Sequence, residues 1–373
     1  MNDNGDIRSE IIVKRIDGKV TLQEIANIVG VSKGTVDRAL HNRSDINKET
    51  KQKILDIAEK LNYTPNRAAR SLALREKKRI GVIIRSIPSF FWHRVEQGIL
   101  NAYQELQDYG IDVVIRSNNS LLSNPEEQLQ LIEELMEQNL EALIIVPVNS
   151  PLIRAKIHEI AQTGIKVVTL NDDIESDDKL FYIGPHMQQS GKVGAELMGK
   201  YLRGEGNIII INSVLQSYSY QQRTNSFKEI LNSRYPNIHI IASYDYSKTD
   251  PCNRRILKEI IENYHDLKGI YNADGSSLYE TGCIVDSLDK QREITLIGHE
   301  IWSKVEDLIS QGIVDAAINQ DPYAQGYHAV RLLYYYLLDG REPEFKEYYT
   351  NMDIIVREKL PMGRNIINIM NNF

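Results

Sequence analysis

The sequence predicts an all-α headpiece, a three-helix unit of the helix-turn-helix type, followed by a two-lobed α/β domain with doubly wound parallel sheets. Two observations lead to this fold class. Apolar residues recur at helical spacing through the first sixty positions, and a tight turn separates the first two helical patterns. From Arg79 onward, nine short β-rich runs alternate with amphipathic stretches, which is typical of parallel sheets covered by helices.

Charge is divided between the two parts of the chain. Residues 1–79 carry 17 Lys and Arg against 11 Asp and Glu, although the whole chain has a net charge of −7. A basic segment on an acidic body is typical of a nucleic-acid-binding module joined to another domain. From charge alone, the alternative that these basic residues simply form a solvated surface is equally possible.

Length and composition restrict the class of protein. A chain of 373 residues is long enough for two or three domains, and 42% hydrophobic with 25% charged residues is typical of globular proteins. Cys252 and Cys283 form no CxxC pair, so we expect neither a disulfide framework nor a zinc site. The polar N-terminus is unlike a signal peptide, and apolar runs such as Ile208 to Ile211 are too short to cross a bilayer. We therefore expect a cytoplasmic protein without membrane contact.

The first two helices have clear boundary signals. Thr21 and Glu24 have the spacing of a capping box, and Gly30 is placed to end the helix that follows Thr21. Ser32 can cap a second helix that begins at Lys33. The short connection between them has the length of the turn in a helix-turn-helix.

The second and third helices each have an apolar side. On the second helix the residues expected to face inward are Val36, Ala39 and Leu40, and those expected outward are Lys33, Gly34, Thr35, Asp37, Arg38 and His41. A third helix is predicted from Asn47 to about Leu61, with Ile54, Ile57, Ala58 and Leu61 buried. Three short amphipathic helices with a basic outer face form a compact DNA-binding unit.

The segment Val20–Ala73 reads VTLQEIANIVGVSKGTVDRALHNRSDINKETKQKILDIAEKLNYTPNRAARSLA. It closely resembles the DNA-binding headpiece of the lactose-repressor (LacI/GalR) family, including the N-Y-x-P-N turn after the third helix. The resemblance implies a hinge helix at about Arg67–Leu74, which pairs with that of a second subunit and inserts Leu72 into the DNA minor groove. It also implies these DNA-binding residues: Thr21, Ser32, Lys33, Gly34, Thr35, Asp37, Arg38, His41, Asn42, Tyr63, Asn66 and Leu72.

Within that set, the resemblance gives different tasks to different residues. Lys33 and Gly34 match base-reading positions, and Arg38 matches an arginine that reaches a base edge or a phosphate. Thr21, Ser32, Thr35 and Asn42 match phosphate contacts, which position the module without reading sequence. Gly34 offers no side chain for reading, and Asp37 places a carboxylate close to DNA, so the operator sequence is left open.

The α/β part contains more strands than one sheet normally holds, which favours two lobes. The nine predicted strands are Ile80–Arg85, Asp112–Ser117, Ala142–Val146, Lys166–Leu170, Asn207–Ile211, His239–Ala242, Gly269–Tyr271, Ile294–Ile297 and Val314–Ile318. We assign residues 1–63 to the headpiece, 64–79 to the linker with the hinge helix, and 80–373 to the two lobes. The N-lobe is expected at about 80–183 and 300–320, and the C-lobe at about 184–299 and 321–360.

Ligands of such folds bind beyond the carboxyl ends of the strands, and the loops there carry aromatic, amide, carboxylate and guanidinium groups. This mixture suits a sugar, because aromatic faces pack on the ring and polar groups pair with its hydroxyls. The predicted ligand-binding residues are Phe90, Phe91, Trp92, Asn171, Asp172, Arg223, Asp274, Glu300 and Gln320. Arg223 suits a carboxylate or phosphate as readily as a hydroxyl.

From about Ile80 to Tyr327 the order of these residues resembles periplasmic sugar-binding proteins of the ribose-binding type (type I). That fold also forms the sensor of the lactose-repressor family. The resemblance implies aromatic stacking by Phe90 and Phe91 and hydroxyl binding by several of the other predicted residues. Asn171 and Glu300 replace usual aspartates, Ala273 replaces a usual asparagine, and His299 stands where an aromatic is common. The identity of the ligand is therefore left open.

The sequence indicates a regulator and not an enzyme. It contains no GxSxG, GxxxxGK[ST], GxGxxG or HExxH motif, and we expect no cofactor and no metal. The expected partners are operator DNA, a small-molecule effector that is a sugar, and a second copy in a homodimer. Repression relieved by an inducer is the favoured interpretation. The alternatives are a corepressor-dependent repressor, an activator that senses a non-sugar metabolite, and a solute-binding protein without DNA binding.

Overall fold

The computed structural model describes residues 20–40, 46–61, 77–118, 124–213, 217–246 and 252–360. The chain divides into two compact units, one containing the N-terminal helices and one containing two β-sheets, and each is described by itself. The predicted hinge helix lies outside the described residues, as do His41, Asn42, Tyr63, Asn66 and Leu72.

The N-terminal unit contains the three predicted helices: α1 Leu22–Val29, α2 Lys33–Leu40 and α3 Lys48–Lys60. The predicted capping box is present, since Thr21 Oγ1 accepts from the backbone N–H of Glu24 and the Glu24 carboxylate accepts from that of Thr21. Gly30 ends α1 with a φ of 79°, a left-handed conformation that glycine adopts without a Cβ penalty. The boundary signals therefore act where the sequence predicts.

A small apolar core holds these three helices together. Ile25, Val36 and Ile54 are completely buried, one from each helix, and Ala39 and Ala58 fill the space between them. The predicted inward residues Val36, Ala39, Ile54 and Ala58 are thus confirmed. Lys33, Gly34 and Arg38 are exposed on the opposite side of α2.

The N-lobe is built on a sheet of six parallel strands in the order β11-β5-β4-β3-β1-β2. Its buried strands are continuous apolar runs such as Ala-Leu-Ile-Ile in β3, as expected for a sheet covered on both faces. The strands are β1 Lys78–Arg85, β2 Ile111–Asn118, β3 Ala142–Ile145, β4 Lys166–Leu170, β5 Lys179–Gly184 and β11 Glu347–Tyr349.

The C-lobe has a second six-stranded sheet, in the order β12-β10-β9-β8-β6-β7. All of its pairs are parallel except β12 with β10, which is antiparallel. The strands are β6 Glu205–Ser213, β7 Asn237–Tyr246, β8 Leu267–Asn272, β9 Thr295–His299, β10 Ala316–Asn319 and β12 Asp353–Ile355.

Helices connect these strands, and most pack their apolar sides on the sheets. They are α4 Ser89–Leu106, α5 Pro125–Met136, α6 Pro151–Gln162, α7 Met187–Tyr201, α8 Tyr218–Arg234, α9 Asn253–Asn263, α10 Gly275–Ser287, α11 Ser303–Ser310 and α12 Pro322–Asp339. All nine predicted strands are present, so the predicted doubly wound architecture is confirmed. The sequence missed β5, β11 and β12.

The predicted division of the C-terminal segments between the lobes is wrong. Residues 300–320 belong to the C-lobe, because β10 pairs with β9 and α11 buries Val305 and Leu308 in the C-lobe core. The start of α12 packs instead on α4 of the N-lobe, and β11 pairs with β5. Within the described residues the chain therefore passes between the lobes three times, at Gly184–Met187, Asn319–Pro322 and Tyr349–Asp353.

Two glycines allow α4 and α12 to approach closely. A Cβ on Gly326 would lie 2.1 Å from the Val95 carbonyl oxygen, and one on Gly98 would lie 2.2 Å from the Tyr323 carbonyl oxygen. Real atoms cannot come so close, and the neighbours here are backbone that cannot turn aside. Within the described residues no helix is both long and apolar enough to cross a membrane.

We expect Gly326→Ala to lower the free energy of unfolding by about 1–3 kcal/mol, because the new methyl group forces the two helices apart. Chemical denaturation followed by circular dichroism measures this loss. Gln97→Ala, an exposed change on α4, is the control and should stay within about 0.5 kcal/mol of the wild type. Equal stability of Gly326→Ala and the control would contradict the close packing.

Candidate ligand cleft and DNA-reading surface

Strained backbone marks the carboxyl ends of three strands. Asn171 after β4, Glu300 after β9 and Asp321 just after β10 have φ values of 62°, 67° and 49°, a region that residues other than glycine rarely adopt. Such conformations cost free energy and persist where the surrounding structure requires them, commonly at functional sites. Asn171 and Glu300 are predicted ligand-binding residues, and Asp321 directly follows a third, Gln320.

Arg223 is the centre of the polar cluster on the C-lobe side. It projects from the second turn of α8 with only 1% of its surface exposed. One terminal nitrogen, Nη1, donates to the carbonyl oxygen of Ala273 at 2.7 Å, and Nη2 donates to Gln320 Oε1 at 2.9 Å. The guanidinium therefore joins the ends of β8 and β10.

Glu300 completes this cluster through Gln320, whose side-chain amide donates to the Glu300 carboxyl group. Burial raises the pKa of Glu300 to about 8, and the positive charge of Arg223 offsets only part of this rise. At neutral pH the Glu300 carboxyl is therefore mostly protonated and can donate a hydrogen bond.

Asp274 caps the helix that follows its strand. Its carboxylate accepts from the backbone N–H of Ser276 at 3.0 Å and from Ser276 Oγ at 2.8 Å. The Tyr220 hydroxyl donates to the same carboxylate at 3.5 Å. Burial raises the pKa of Tyr220, so this phenol stays protonated. Asp274 remains available on the C-lobe wall as an acceptor.

On the N-lobe side, Asn171 and Asp172 reach the residues between the lobes. Asn171 Nδ2 donates to Gln325 Oε1 at 2.9 Å, and Gln325 Nε2 donates to the Gln320 carbonyl oxygen at 2.9 Å. Asp172 pairs with Arg85 at 3.4 Å and also accepts from the backbone N–H of Ser219 in the C-lobe at 3.3 Å. These contacts hold the two lobes together.

The predicted aromatic group is divided between two environments. Phe90 stacks on Trp302 of the opposite lobe, with ring centroids 4.7 Å apart and planes at 6°. Phe91 and Trp92 are buried, with 6% and 3% of their surface exposed, and Trp92 lies under the Arg85 guanidinium at 6.0 Å. Of these three aromatic residues, Phe90 is therefore the one that contacts the other lobe. Because its ring touches Trp302, the cleft is closed at this point.

Four cleft residues were missed by the sequence analysis: Arg85, Tyr220, Trp302 and Gln325. Arg85 is the last residue of its strand, and Tyr220 lies one turn before Arg223, so both positions carried a signal. Trp302 lies three residues beyond β9, and Gln325 lies within α12. His299 is buried behind the cleft, where its ring nitrogen meets the Tyr271 hydroxyl at 2.7 Å, and burial lowers its pKa.

A cavity of about 230 Å³ adjoins the cleft on the side of the lobe crossings. Its lining includes Asp173, Tyr182, His186, Ser219 and Tyr349, and none of the predicted ligand-binding residues. Of the predicted residues, Arg223, Gln320 and Glu300 contact one another, whereas Phe90, Asn171 and Asp172 contact other residues of the opposite lobe or of the crossing. In the part of the chain that the structure describes, no three His, Cys, Asp or Glu side chains could hold a metal ion.

The DNA-reading surface predicted on α2 is partly described. Ser32 caps α2 by accepting from the backbone N–H of Thr35 at 3.1 Å, and its hydroxyl meets that of Thr35 at 2.8 Å. The Arg38 guanidinium donates to the Gly34 carbonyl oxygen at 3.2 Å and is otherwise exposed with Lys33. Asp37 is half-buried at the edge of this surface.

Two family models match separate parts of the chain. The model of the periplasmic binding protein domain matches residues 80–342, and that of bacterial regulatory proteins of the lacI family matches residues 21–66. The chain belongs to the periplasmic binding protein domain family. Its N-terminal helices form a lacI-family domain, which confirms the predicted combination of the two.

Curated relatives include both regulators and a binding protein. The probable HTH-type transcriptional repressor ExuR of Bacillus subtilis (strain 168) is 29% identical over 230 residues, 61% of this chain and 64% of that protein. The ribose operon repressor of the same strain is 25% identical over 322 residues, 84% of this chain and 90% of that protein. The D-ribose/D-allose-binding protein of Pseudomonas aeruginosa is 21% identical over 282 residues, 73% and 86% of the two chains.

Solved structures share the two-lobed fold. A sugar ABC transporter sugar-binding protein from Bacillus halodurans aligns with a TM-score of 0.66 and 24% identity, covering 76% of this chain and 98% of that one. GanP, a glucose-galactose binding protein from Geobacillus stearothermophilus, aligns with a TM-score of 0.70 and 19% identity, covering 77% and 100%. At these identities the likeness concerns the fold of the periplasmic binding protein domain.

We expect Glu300→Gln to remove part of the pH dependence of stability. The pKa of Glu300 is about 8 in the folded protein against 4.5 ordinarily, so the unfolded chain releases this proton first as the pH rises. The wild-type free energy of unfolding should therefore fall between about pH 4.5 and 8, by on the order of a few kcal/mol from this group. Gln mimics the protonated carboxyl and should flatten the decline.

Melting temperatures of both proteins between pH 5 and 9 test this. The expected gap in favour of Glu300→Gln widens toward pH 9, whereas parallel curves would mean that Glu300 ionises normally. Glu293→Gln, at an exposed position just before β9, serves as the control for removing one carboxylate.

Proposed function

We propose that the chain is a DNA-binding repressor whose operator affinity is controlled by a sugar or sugar-like molecule bound between its two lobes. One observation carries the proposal. Buried polar side chains from both lobes meet in one cleft, and the same chain carries a lacI-family domain with an exposed recognition helix. The repressors among the relatives, and the sugar-binding proteins of the same fold, support it.

Closure of the lobes couples ligand binding to DNA binding. Ligand that binds residues of both lobes favours the closed arrangement, in which Asn171, Arg223 and Gln320 belong to one network. A ligand changes DNA affinity only if it binds two conformations unequally. A ligand held between two bodies meets that condition, because its contacts are complete only when the bodies come together.

Transmission to DNA requires an element between the lobes and the headpiece. We infer that the segment around Arg67–Leu74 forms the hinge helix and that two copies of it pair in a homodimer on operator DNA. An isolated helix of this length is marginally stable, so a small change in the body can decide whether it forms. We infer a cytoplasmic location, no membrane contact and no catalysis.

Regulation by a corepressor would use the same structure. A corepressor would tighten operator binding, whereas an inducer would weaken it, so the sign of the ligand effect separates them. A solute-binding protein without DNA binding is disfavoured by the lacI-family domain, whose three helices and exposed α2 surface such a protein does not require.

A pair of variants tests whether the two tasks are separate. Operator DNA is first selected from a random duplex library with the full-length protein, and ligands are identified by thermal shift against aldoses, polyols, sugar acids and sugar phosphates. Phe90→Ala should weaken ligand binding at least tenfold and retain operator affinity, because it removes the aromatic contact between the lobes. Arg38→Ala should retain the ligand-induced shift and lose operator affinity by about 1–3 kcal/mol.

Gln23→Ala, an exposed change on α1, is the control and should alter neither property. Loss of both properties in either variant would contradict the division of tasks. Absence of sequence-specific DNA binding by the full-length protein would contradict the proposed function itself.

Salt dependence checks the mode of DNA binding. If several phosphates are neutralised by the basic headpiece, operator affinity should fall by roughly a thousandfold or more between 50 and 200 mM salt. Fluorescence anisotropy of a labelled operator measures it. A flat response would show that phosphate contacts do not contribute.

A further inference from the structure

One aromatic contact joins the two lobes directly. Phe90 lies on the first turn of α4 in the N-lobe, and Trp302 lies between β9 and α11 in the C-lobe. Their rings are almost parallel, with centroids 4.7 Å apart and planes at 6°. Offset stacking at such a distance is a favoured geometry for an aromatic pair, and it leaves no room for another group between the rings. The contact therefore attracts the lobes to each other through protein atoms alone.

Trp302 is held in place from within the C-lobe. It packs with Tyr279 against the C-lobe core, and the centroids of these two rings are 5.5 Å apart. The Lys304 ammonium lies 5.7 Å from the Trp302 centroid and 5.2 Å from that of Tyr279, within the range of a cation–π interaction. Trp302 Nε1 is buried and has no hydrogen-bond partner among the described residues. Ring contacts, and not a hydrogen bond of the indole, therefore set the position of Trp302.

Phe90 is fixed in the same way within the N-lobe. The two residues that follow it, Phe91 and Trp92, are buried. The helix that carries all three packs closely on α12, where Gly326 meets the backbone of Val95. Each ring of the stack is therefore attached to its own lobe, so the stack forms only when the lobes come together and breaks when they separate.

The hydrogen bonds between the lobes contribute less to closure than the stack. Asp172 accepts from the backbone N–H of Ser219 at 3.3 Å, and the backbone N–H of Asp173 donates to Ser219 Oγ at 3.3 Å. When the lobes separate, water replaces these partners, so the net contribution of each bond is small. Water does not replace the contact between two rings, and a stacked pair favours association by about two- to tenfold beyond its buried area.

We propose that the stack of Phe90 on Trp302 is a latch that keeps part of the protein closed before an effector binds, and that Trp302 is a positioning residue for effector binding. This inference rests on the proposed function and adds a determinant of its sensitivity. For a ligand that binds only the closed arrangement, the apparent Kd is the intrinsic Kd divided by the closed fraction. Loss of the latch therefore weakens every such ligand by the same factor, whereas loss of a ligand contact changes their ranking.

Lobe closure can be measured on the full-length protein with neither ligand nor DNA. Single-molecule energy transfer between dyes on Glu137→Cys in the N-lobe and Glu259→Cys in the C-lobe reports the distance between the lobes, because both positions are exposed. Cys252→Ser and Cys283→Ser remove the native thiols from every protein compared. An excess of unlabelled chain leaves one labelled chain in each assembly. We expect a closed population of at least about one tenth.

Variants on both sides of the stack test the latch in this background. Trp302→Leu and Phe90→Leu should each lower the closed-to-open ratio about threefold or more, and the double variant should lower it no further, since either change alone removes the stack. Trp302→Phe keeps a ring that can stack and should retain most of the ratio. Tyr201→Leu removes a ring that is 43% exposed at the end of α7, and this matched control should leave the ratio unchanged.

The outcomes separate the latch from the function on which it rests. Only open molecules in the wild type, or an unchanged ratio in both leucine variants, would overturn the latch and leave the proposed function standing. Equal losses in Trp302→Phe and Trp302→Leu would also overturn it, because a general disturbance of the C-lobe would then explain the effect. Failure of the full-length protein to bind DNA specifically would overturn the proposed function, whereas the ratio measured without DNA would still decide the latch.

Discussion

The buried guanidinium of Arg223 is the interaction on which the cleft depends. It reaches from α8 to the carboxyl ends of β8 and β10, and through Gln320 it fixes Glu300 at the end of β9. A charge with 1% exposure is costly unless hydrogen bonds to its terminal nitrogens offset the loss of water. The strand ends must therefore present their oxygens to it, and the left-handed backbone at Glu300 and Asp321 is consistent with that requirement.

In the function proposed above, the same network links ligand binding to the position of the lobes. Gln320 lies at the point where the chain passes from the C-lobe to the N-lobe, and Gln325 on the first turn of α12 connects it to Asn171. A ligand bound beside Gln320 and Gln325 would contact the crossing itself and not only the two walls of the cleft. On the other side of the cleft, Phe90 of the N-lobe stacks on Trp302 of the C-lobe. Closure thus brings together residues that are far apart in the sequence.

The sequence was sufficient to predict the local structure, because local signals produce it. Thr21, Gly30 and Ser32 set helix boundaries through their own hydrogen bonds or backbone conformation, and continuous apolar runs identified nine of the twelve described strands. The three missed strands are short or follow polar loops. The division of the C-terminal segments between the lobes was wrong because no local pattern records which sheet a strand joins. That choice depends on packing such as the approach of Gly326 to Val95.

The cleft was predictable to a similar extent. Strand-end loops could be read from the sequence, which placed Arg223, Asp274, Glu300 and Gln320 in one region, but the contacts between lobes could not. Trp302 contributes a ring from a loop with no recognisable motif, and Arg85 gains its role only because Asp172 lies beside it. Such pairings decide the charge of the cleft, since the protonation of Glu300 follows from its burial. The chemistry of the ligand therefore has to be inferred from the folded cleft, whereas the DNA-binding helices can be predicted from local sequence signals.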